Sequence, residues 1–516
     1  MNEFFEDINI LSIILFLPVI GAIMIAILQI TDKGLKQVAA LFTGVTFLLA
    51  ILMFIGFEKS DGGLQFIERY TWIDSIKAEY FLGVDGLSAP LFLLTTFLGF
   101  LCVFISWNIK DRVREYFVWL LILQFSIMGV FVAQDFLLFF IFWEIELIPM
   151  YFLISIWGTK PPLGRREYSA VKYLLYTLLG SAGLLAGILV AYFQADGSTW
   201  AMMDVTNPET GQIIKGLPSY VAGLTIGMQT LIFFLIFFCF CVKLPMFPFH
   251  TWLPDAHTDA PTAGSVMLAG VLIKMGGYGM LRLLGIAPDV ADKYAWLLIL
   301  LGIIGVLYGA AATLRQTDLK RLIAYSSVSH MGYVLLGIFA LQQVSVTGAA
   351  LQLLSHGVVT GLLFAMVGVV YDKTHERRIP YLGGLAKQMP IACVVFTIAG
   401  MASLGLPLTS GFAAEFLIFT GSYNSDVTPW MHVYTILGIV GIVLTAGYIL
   451  WMIQRAFYHE PKSQFDHLSD ATVMERFVIF SLVASIMWIG IRPHYFTDLI
   501  DNSLSAIESI KGVLGS

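Results

Sequence analysis

The stretch Phe240-Cys241-Val242-Lys243-Leu244-Pro245-Met246-Phe247-Pro248-Phe249-His250 lies inside an apolar run, residues 219–253, that is too long for one simple membrane crossing. Its two prolines lack N–H groups and clash with the preceding turn, so a helix through them must break. In a bilayer such a break survives only where protein or trapped water satisfies the freed carbonyls. A second run, residues 390–422, has the same excess length and carries Pro407. Both are predicted to be discontinuous helices, broken at Pro245 with Pro248 and at Pro407.

Around these two lie twelve more apolar runs long enough to cross, at residues 10–30, 36–57, 83–106, 116–134, 136–157, 168–194, 262–286, 294–314, 322–342, 346–371, 430–457 and 474–491. The prediction is an all-α integral membrane protein of fourteen helices, one membrane domain over residues 1–516. Composition agrees, with 58% hydrophobic and 12% charged residues against about 25% charged in soluble domains. The first run follows an acidic start (Glu3, Glu6, Asp7) without a basic segment or a small-residue cleavage site, so it is expected to be retained. Cys102, Cys239, Cys241 and Cys393 lie in apolar runs and lack the spacing of a cluster or zinc site. No strand–helix alternation carries a nucleotide-binding glycine motif.

Loops after odd-numbered helices hold seventeen Lys and Arg, Arg377 among them, and those after even-numbered helices together with the tail hold eight, with Arg282 counted there at the end of its helix. The positive-inside rule then puts the odd loops on the cytoplasmic side and both termini on the opposite, periplasmic side. The broken seventh and twelfth helices are five apart. Helices 4–8 (residues 116–286) and 9–13 (residues 294–457) are therefore predicted to form two inverted five-helix repeats, and paired breaks of this kind point to an ion path at the midplane. Residues 498–516 place Ile500, Leu504, Ile507 and Leu514 at helical spacing, which suits an interfacial amphipathic tail.

Among the charged residues inside apolar runs, five are candidate sites: Glu144, Glu146, Lys243, Lys274 and Glu415. On insertion scales they would together cost on the order of 15 kcal/mol unless paired, hydrated or functional. Titratable groups at that depth are proton-relay candidates; the competing reading is a structural ion pair. Glu144 and Glu146 stand about 200° apart around a helix, so they cannot share one contact. Lys243 precedes the first break, where a desolvated ammonium can give up its proton. Lys274 is too deep to snorkel. His330 and His356, in the tenth and eleventh helices, read either as relays or as hydrogen-bonded structure. His250, Asp255 and His257 have loose ligand spacing without a third ligand of firm geometry, so no metal is expected.

Three motifs carry a family resemblance over nearly the whole chain: Phe249–Val266 (FHTWLPDAHTDAPTAGSV), Gly83–Ser88 (GVDGLS) and Ala324–Gly332 (AYSSVSHMG). With them the chain resembles the antiporter-like subunits of complex I, the NADH-quinone oxidoreductase, which are related to Mrp-type antiporters and membrane hydrogenase subunits. Within that family Gly411–Phe416 (GFAAEF) resembles subunit M, the mitochondrial fourth-subunit type, which has glutamate where subunits L and N and the Mrp antiporters have lysine. Glu146 departs from many bacterial M subunits and resembles the Trp-Glu-X-Glu pattern of cyanobacterial and plastid relatives.

The resemblance implies that Glu144 modulates Lys243, that Lys274 connects towards the centre through His330 and His356, and that Glu415 leads to the outer side. It also implies that NADH, FMN, iron-sulfur clusters and quinone are bound by partner subunits, that L-like and N-like subunits are neighbours, and that this chain contributes proton translocation without a redox centre. The membrane would be the bacterial inner membrane, or the thylakoid or mitochondrial inner membrane if organellar. An Mrp-type sodium/proton antiporter subunit and a membrane-bound hydrogenase subunit remain alternatives.

Overall fold

The computed structural model describes residues 8–206, 213–507 and 514. Its main helices are α1 (Ile10–Ile27), α2 (Asp32–Gly56), α3 (Ser88–Ile105), α4 (Val113–Val132), α5 (Phe136–Trp157), α6 (Arg166–Gln194), α7 (Ile226–Lys243), α8 (Trp252–Asp259), α9 (Thr262–Ile286), α10 (Pro288–Leu314), α11 (Leu319–Phe339), α12 (Gln343–Thr374), α13 (Pro390–Ser403), α14 (Ser410–Tyr423), α15 (Met431–Tyr458), α16 (Val473–Ile491) and α17 (His494–Ala506). Thirteen helices among the described residues are long and apolar enough to cross a membrane. The run at 390–422 is not one of them, because it forms two short helices, α13 and α14, separated by Leu404–Thr409. The run at 219–253 likewise ends its first helix at Lys243 and resumes at Trp252. Both predicted breaks are present, and each encloses the prolines expected to cause it.

The helices sort by depth. The most apolar windows of α9 and α12 are wholly buried and that of α11 nearly so, whereas α2 and α16 bury about a third or less. A soluble bundle would place its polar residues outside; here the innermost helices carry Lys274, His330 and His356. Where α9 and α12 cross, Gly270 meets Gly357 so closely that a Cβ on Gly357 would lie 2.6 Å from the Gly270 carbonyl oxygen. That backbone approach sets how near the two helices' polar groups can come.

Strands were not expected, yet β1 (Gln65–Ile73) and β2 (Ala78–Val84) form an antiparallel hairpin between α2 and α3. The run Phe66–Ile73 is rich in β-branched and aromatic residues, a period that a search for twenty-residue apolar runs passes over. The hairpin has a local task. Asn9, at the start of α1, makes no side-chain cap, and Glu68 of β1 instead accepts from the Leu11 and Ser12 backbone N–H groups at 2.7 and 3.2 Å. A carboxylate there satisfies orphan donors and faces the positive end of the helix dipole. A second small ladder joins Val205–Thr206 to Ile213–Ile214.

The expected tail helix begins at His494, earlier than residue 498, and buries Phe496, Leu499, Ile500 and Leu504. It docks on the protein through Ser503 Oγ, which accepts from Gly86 N at 2.7 Å, and through Asn502, which donates to the Lys59 carbonyl at 2.7 Å. Residues 508–513, 515 and 516 of the predicted tail lie outside the described residues.

Candidate functional site

Lys243 is the last residue of α7, at the helix end whose unpaired carbonyls favour a cation. Pro245 and Pro248 supply no N–H, and the Trp252 indole at the start of α8 donates to the freed Val242 carbonyl at 2.9 Å. The Lys243 ammonium is fully buried between the Trp143 and Tyr173 rings, each centred 5.6 Å away, and is ion-paired with Glu146. Tyr173 donates its hydroxyl to the other Glu146 oxygen at 2.6 Å. The expected partner, Glu144, does not hold this lysine. The reason is local: Pro149 removes the donor for the Ile145 carbonyl, α5 turns at Glu146, and that turn points Glu146 inward. Glu144 is half-buried beside Ser181, and its Oε1 lacks a hydrogen-bond partner among the described residues. The 200° argument holds, since the two carboxylates have different environments.

Lys274 lies within α9, just after a π-helical segment at Leu268–Leu272. Such bulges concentrate at functional sites because they expose a carbonyl, and here Ala269 O, five residues back, accepts from the Lys274 ammonium. His356 of α12 meets the same ammonium through Nδ1 at 2.7 Å, across the Gly270–Gly357 crossing. Thr360 fixes that turn by donating to the His356 carbonyl at 2.5 Å. No carboxylate pairs with Lys274 among the described residues. The His356 ring is centred 5.4 Å from that of His330. His330 of α11 touches Ser403 Oγ through Nε2 at 3.2 Å and brings Nδ1 to 3.4 Å from Glu415 Oε1.

Glu415 follows the second break, where Gly405 (φ +78) and Leu408 (φ +74) both take left-handed backbone around Pro407. Only glycine suits the first position: besides its φ, a Cβ would lie 2.8 Å from Glu415 Oε2. The carboxylate is 3% exposed and lines a groove of about 570 Å³ with Phe412, Phe416, Phe419 and Tyr423. Lys274, His356, His330 and Glu415 thus form one buried line of titratable groups ending at the second break.

His250 and His257 are buried with ring nitrogens unpartnered among the described residues, and His257 stacks on Phe364 at 4.6 Å between centroids. Asp255 does not join them, because it pairs with Lys172 at 2.7 Å and Arg321 at 3.4 Å. Two charges assigned to loops prove buried. Arg282 lies inside α9 and pairs with Asp85 at 2.6 Å. Arg377 reaches Asp318 at 2.7 Å, Thr159 Oγ1 at 3.0 Å and the Leu163 carbonyl at 3.0 Å. The GVDGLS motif held one signal for the first pair; nothing near Arg377 in sequence marked its burial.

The transmembrane family described as NADH:quinone oxidoreductase/Mrp antiporter matches residues 133–445. The chain is 42% identical over 506 residues to NADH-quinone oxidoreductase subunit M of Rhodobacter capsulatus, with 96% of each chain covered. It is 40% identical over 501 residues to NAD(P)H-quinone oxidoreductase chain 4 1 of Synechococcus elongatus, covering 96% of this chain and 91% of that one. A chain of respiratory complex I from Thermus thermophilus superposes with a TM-score of 0.85 at 26% identity, covering 98% of this chain and 100% of that one. A chain of the Mrp complex from Dietzia shares the fold alone, at a TM-score of 0.82 and 19% identity over 98% and 99% of the two chains. With the matched region spanning both breaks and every buried charge between them, this chain belongs to the NADH:quinone oxidoreductase/Mrp antiporter transmembrane family.

Proposed function

We propose that this chain is the subunit-M-type, proton-translocating membrane subunit of a respiratory NADH-quinone oxidoreductase, complex I. The observation that carries the reading is the buried line Lys274–His356–His330–Glu415, which ends at one helix break while Lys243, with its carboxylates, occupies the other. Buried titratable groups of this kind mark ion pathways and proton relays in membrane proteins. Lys243 is modulated by the glutamates of α5, Lys274 carries the proton to the centre, the two histidines bridge, and Glu415 releases it towards the outer side.

In this reading the broken helices belong to inverted repeats over residues 116–286 and 294–457, and α13 with α14 makes a fourteenth crossing. Both termini face the periplasm or its equivalent. L-like and N-like antiporter subunits adjoin the chain, and the flavin, iron-sulfur clusters and quinone site reside in other subunits. The glutamate at 415 favours this assignment over an Mrp-type sodium/proton antiporter.

Purification in mild detergent tests it. Flavin-bearing and quinone-site subunits should co-purify with this chain, and the complex reconstituted in vesicles should acidify one side when NADH reduces a quinone. Co-purification with a nickel–iron hydrogenase, or quinone reduction without proton movement, would overturn the proposal.

A further inference from the structure

A polar cavity of about 220 Å³ opens where the loop after α5, the start of α6, α8 and the start of α11 meet, a face expected on the cytoplasmic side from the basic-residue bias. A single water needs only ~15 Å³ of such space, so the cavity takes a group of many atoms. Arg165 and Arg321 line it, together with Tyr168, Asp255 and Asp259. Both carboxylates are already engaged. Asp259 accepts from Ser169 Oγ at 2.6 Å and from Arg165 N at 3.0 Å. Asp255 pairs with Lys172 at 2.7 Å, which leaves Arg321 a longer contact of 3.4 Å to its other oxygen. The Arg165 guanidinium lies 5.2 Å over the Tyr168 ring and pairs with no carboxylate among the described residues. Two guanidiniums thus border the cavity with donors to spare, and their planar forks match a phosphate. Onward from Tyr168, α6 exposes Val171, Leu175, Leu178 and Leu179, at intervals of three and four that keep them on one side of the helix. An apolar track therefore runs into the membrane from a tyrosine at the cavity rim, the place an aromatic ring takes at head-group level.

We propose that this cavity binds the phosphate of an anionic phospholipid, clamped between Arg165 and Arg321, with an acyl chain laid along the exposed track of α6. The site goes beyond proton translocation and does not depend on it. A free phosphate shares the chemistry of the clamp, but a soluble anion uses the cavity alone, and the apolar track beside it favours a lipid. Basic pockets between membrane helices on the cytoplasmic side bind head groups of this kind. The bound head group ties three elements together: Arg165 precedes α6, Asp255 belongs to α8, the half-helix after the first break, and Arg321 lies in the first turn of α11. Because Lys172 keeps Asp255, the phosphate completes the partners of Arg321 without stranding a carboxylate.

The test uses the assembled complex, purified in mild detergent and stripped of loosely held lipid. Its melting temperature is followed as phosphatidylglycerol, phosphatidylcholine or inorganic phosphate is added, and its structure is determined in nanodiscs containing phosphatidylglycerol. The proposal expects a saturable rise in melting temperature with phosphatidylglycerol, and a lipid phosphate between the two guanidiniums with a chain against Val171 and Leu175. The Arg165→Gln/Arg321→Gln variant should raise the half-saturating concentration about tenfold or more and lose the lipid of this cavity while lipid elsewhere on the complex remains. If the double variant does not assemble, Arg165→Gln alone, which disturbs a ring contact and no described ion pair, should weaken the response several-fold. An equal response to inorganic phosphate would assign the cavity to a soluble anion, and an equal response to phosphatidylcholine would remove the preference for an anionic lipid. A side chain of a neighbouring subunit seated between Arg165 and Arg321 would make the cavity a protein interface. Each of these overturns the proposal, as does unchanged phosphatidylglycerol binding in the variants.

Discussion

The two helix breaks use opposite charges in opposite surroundings. At the first, the charged residue is a lysine that closes a half-helix, clamped by a carboxylate and sealed between two aromatic rings. At the second, it is a glutamate inside the following half-helix, facing an imidazole at 3.4 Å and bordering a groove. The first break is a closed ion pair; the second is an acid with a weak partner and an open side. Removing one member of a close buried pair strands the other, whereas removing one member of a longer, weaker contact costs less. The two ends should therefore respond differently to the loss of charge, although proton movement depends on both.

The largest effect should follow Lys243→Ala, which leaves Glu146 buried without its cation. A loss of about 3–5 kcal/mol is expected, read as a lower melting temperature and yield of the assembled complex, with pumping abolished. Glu415→Gln should change stability by only about 1 kcal/mol while pumping still falls; equal destabilisation at the two breaks would erase the contrast. The link between them can be broken at Gly357→Ala, whose Cβ would press on the Gly270 backbone. Overpacking of about 1–3 kcal/mol is expected, with Lys274 and His356 pushed apart and coupling reduced. Retained coupling with the helices measurably separated would remove that contact from the path.

A smaller effect is expected at Gly405→Ala. Left-handed backbone costs about 1–2 kcal/mol for a residue with a Cβ, and the methyl group would displace Glu415 Oε2. The complex should assemble with impaired pumping; normal pumping would show that the carboxylate's placement does not matter. Away from both breaks, Asp135 caps α5 by accepting from Leu137 and Leu138 N at 2.8 and 3.0 Å. Burial pushes its carboxyl up to about 6, against hydrogen bonds from the Glu79, Leu138 and Leu137 backbone that pull it down. A carboxyl raised in the folded state adds stability at low pH and loses that contribution as pH rises through the folded value. Wild-type stability should therefore fall relative to Asp135→Asn as pH rises from about 4 to about 6, then run parallel above it; parallel curves throughout would refute the shift.

Much of this architecture is legible in the amino-acid sequence. Apolar runs marked the spans and prolines marked both breaks, because lipid leaves the backbone few options. The same hydropathy reading hid the hairpin at Gln65–Val84, whose period is two and whose residues are mixed. It also treated Arg282 and Arg377 as loop charges, since depth near a helix end depends on neighbouring helices, not on the residue's own run. The partner of Lys243 was misassigned for a similar reason. A turn centred on Glu146 decides which carboxylate points inward, and a one-residue rotation is invisible in composition. The Lys274–His356 contact was anticipated only as a bridge; the π-helical segment and the glycine crossing that create it left no sequence period.

Lys274→Met bears most directly on whether this line carries protons. The ammonium has no carboxylate partner among the described residues, so a neutral side chain of similar length should leave the fold as stable or more so. Protons moved per quinone reduced, measured on the assembled complex in sealed vesicles, should drop to background while melting temperature and subunit content hold. Unchanged pumping in that complex would contradict the account, because a proton path through Lys274, His356, His330 and Glu415 cannot operate with its first carrier removed.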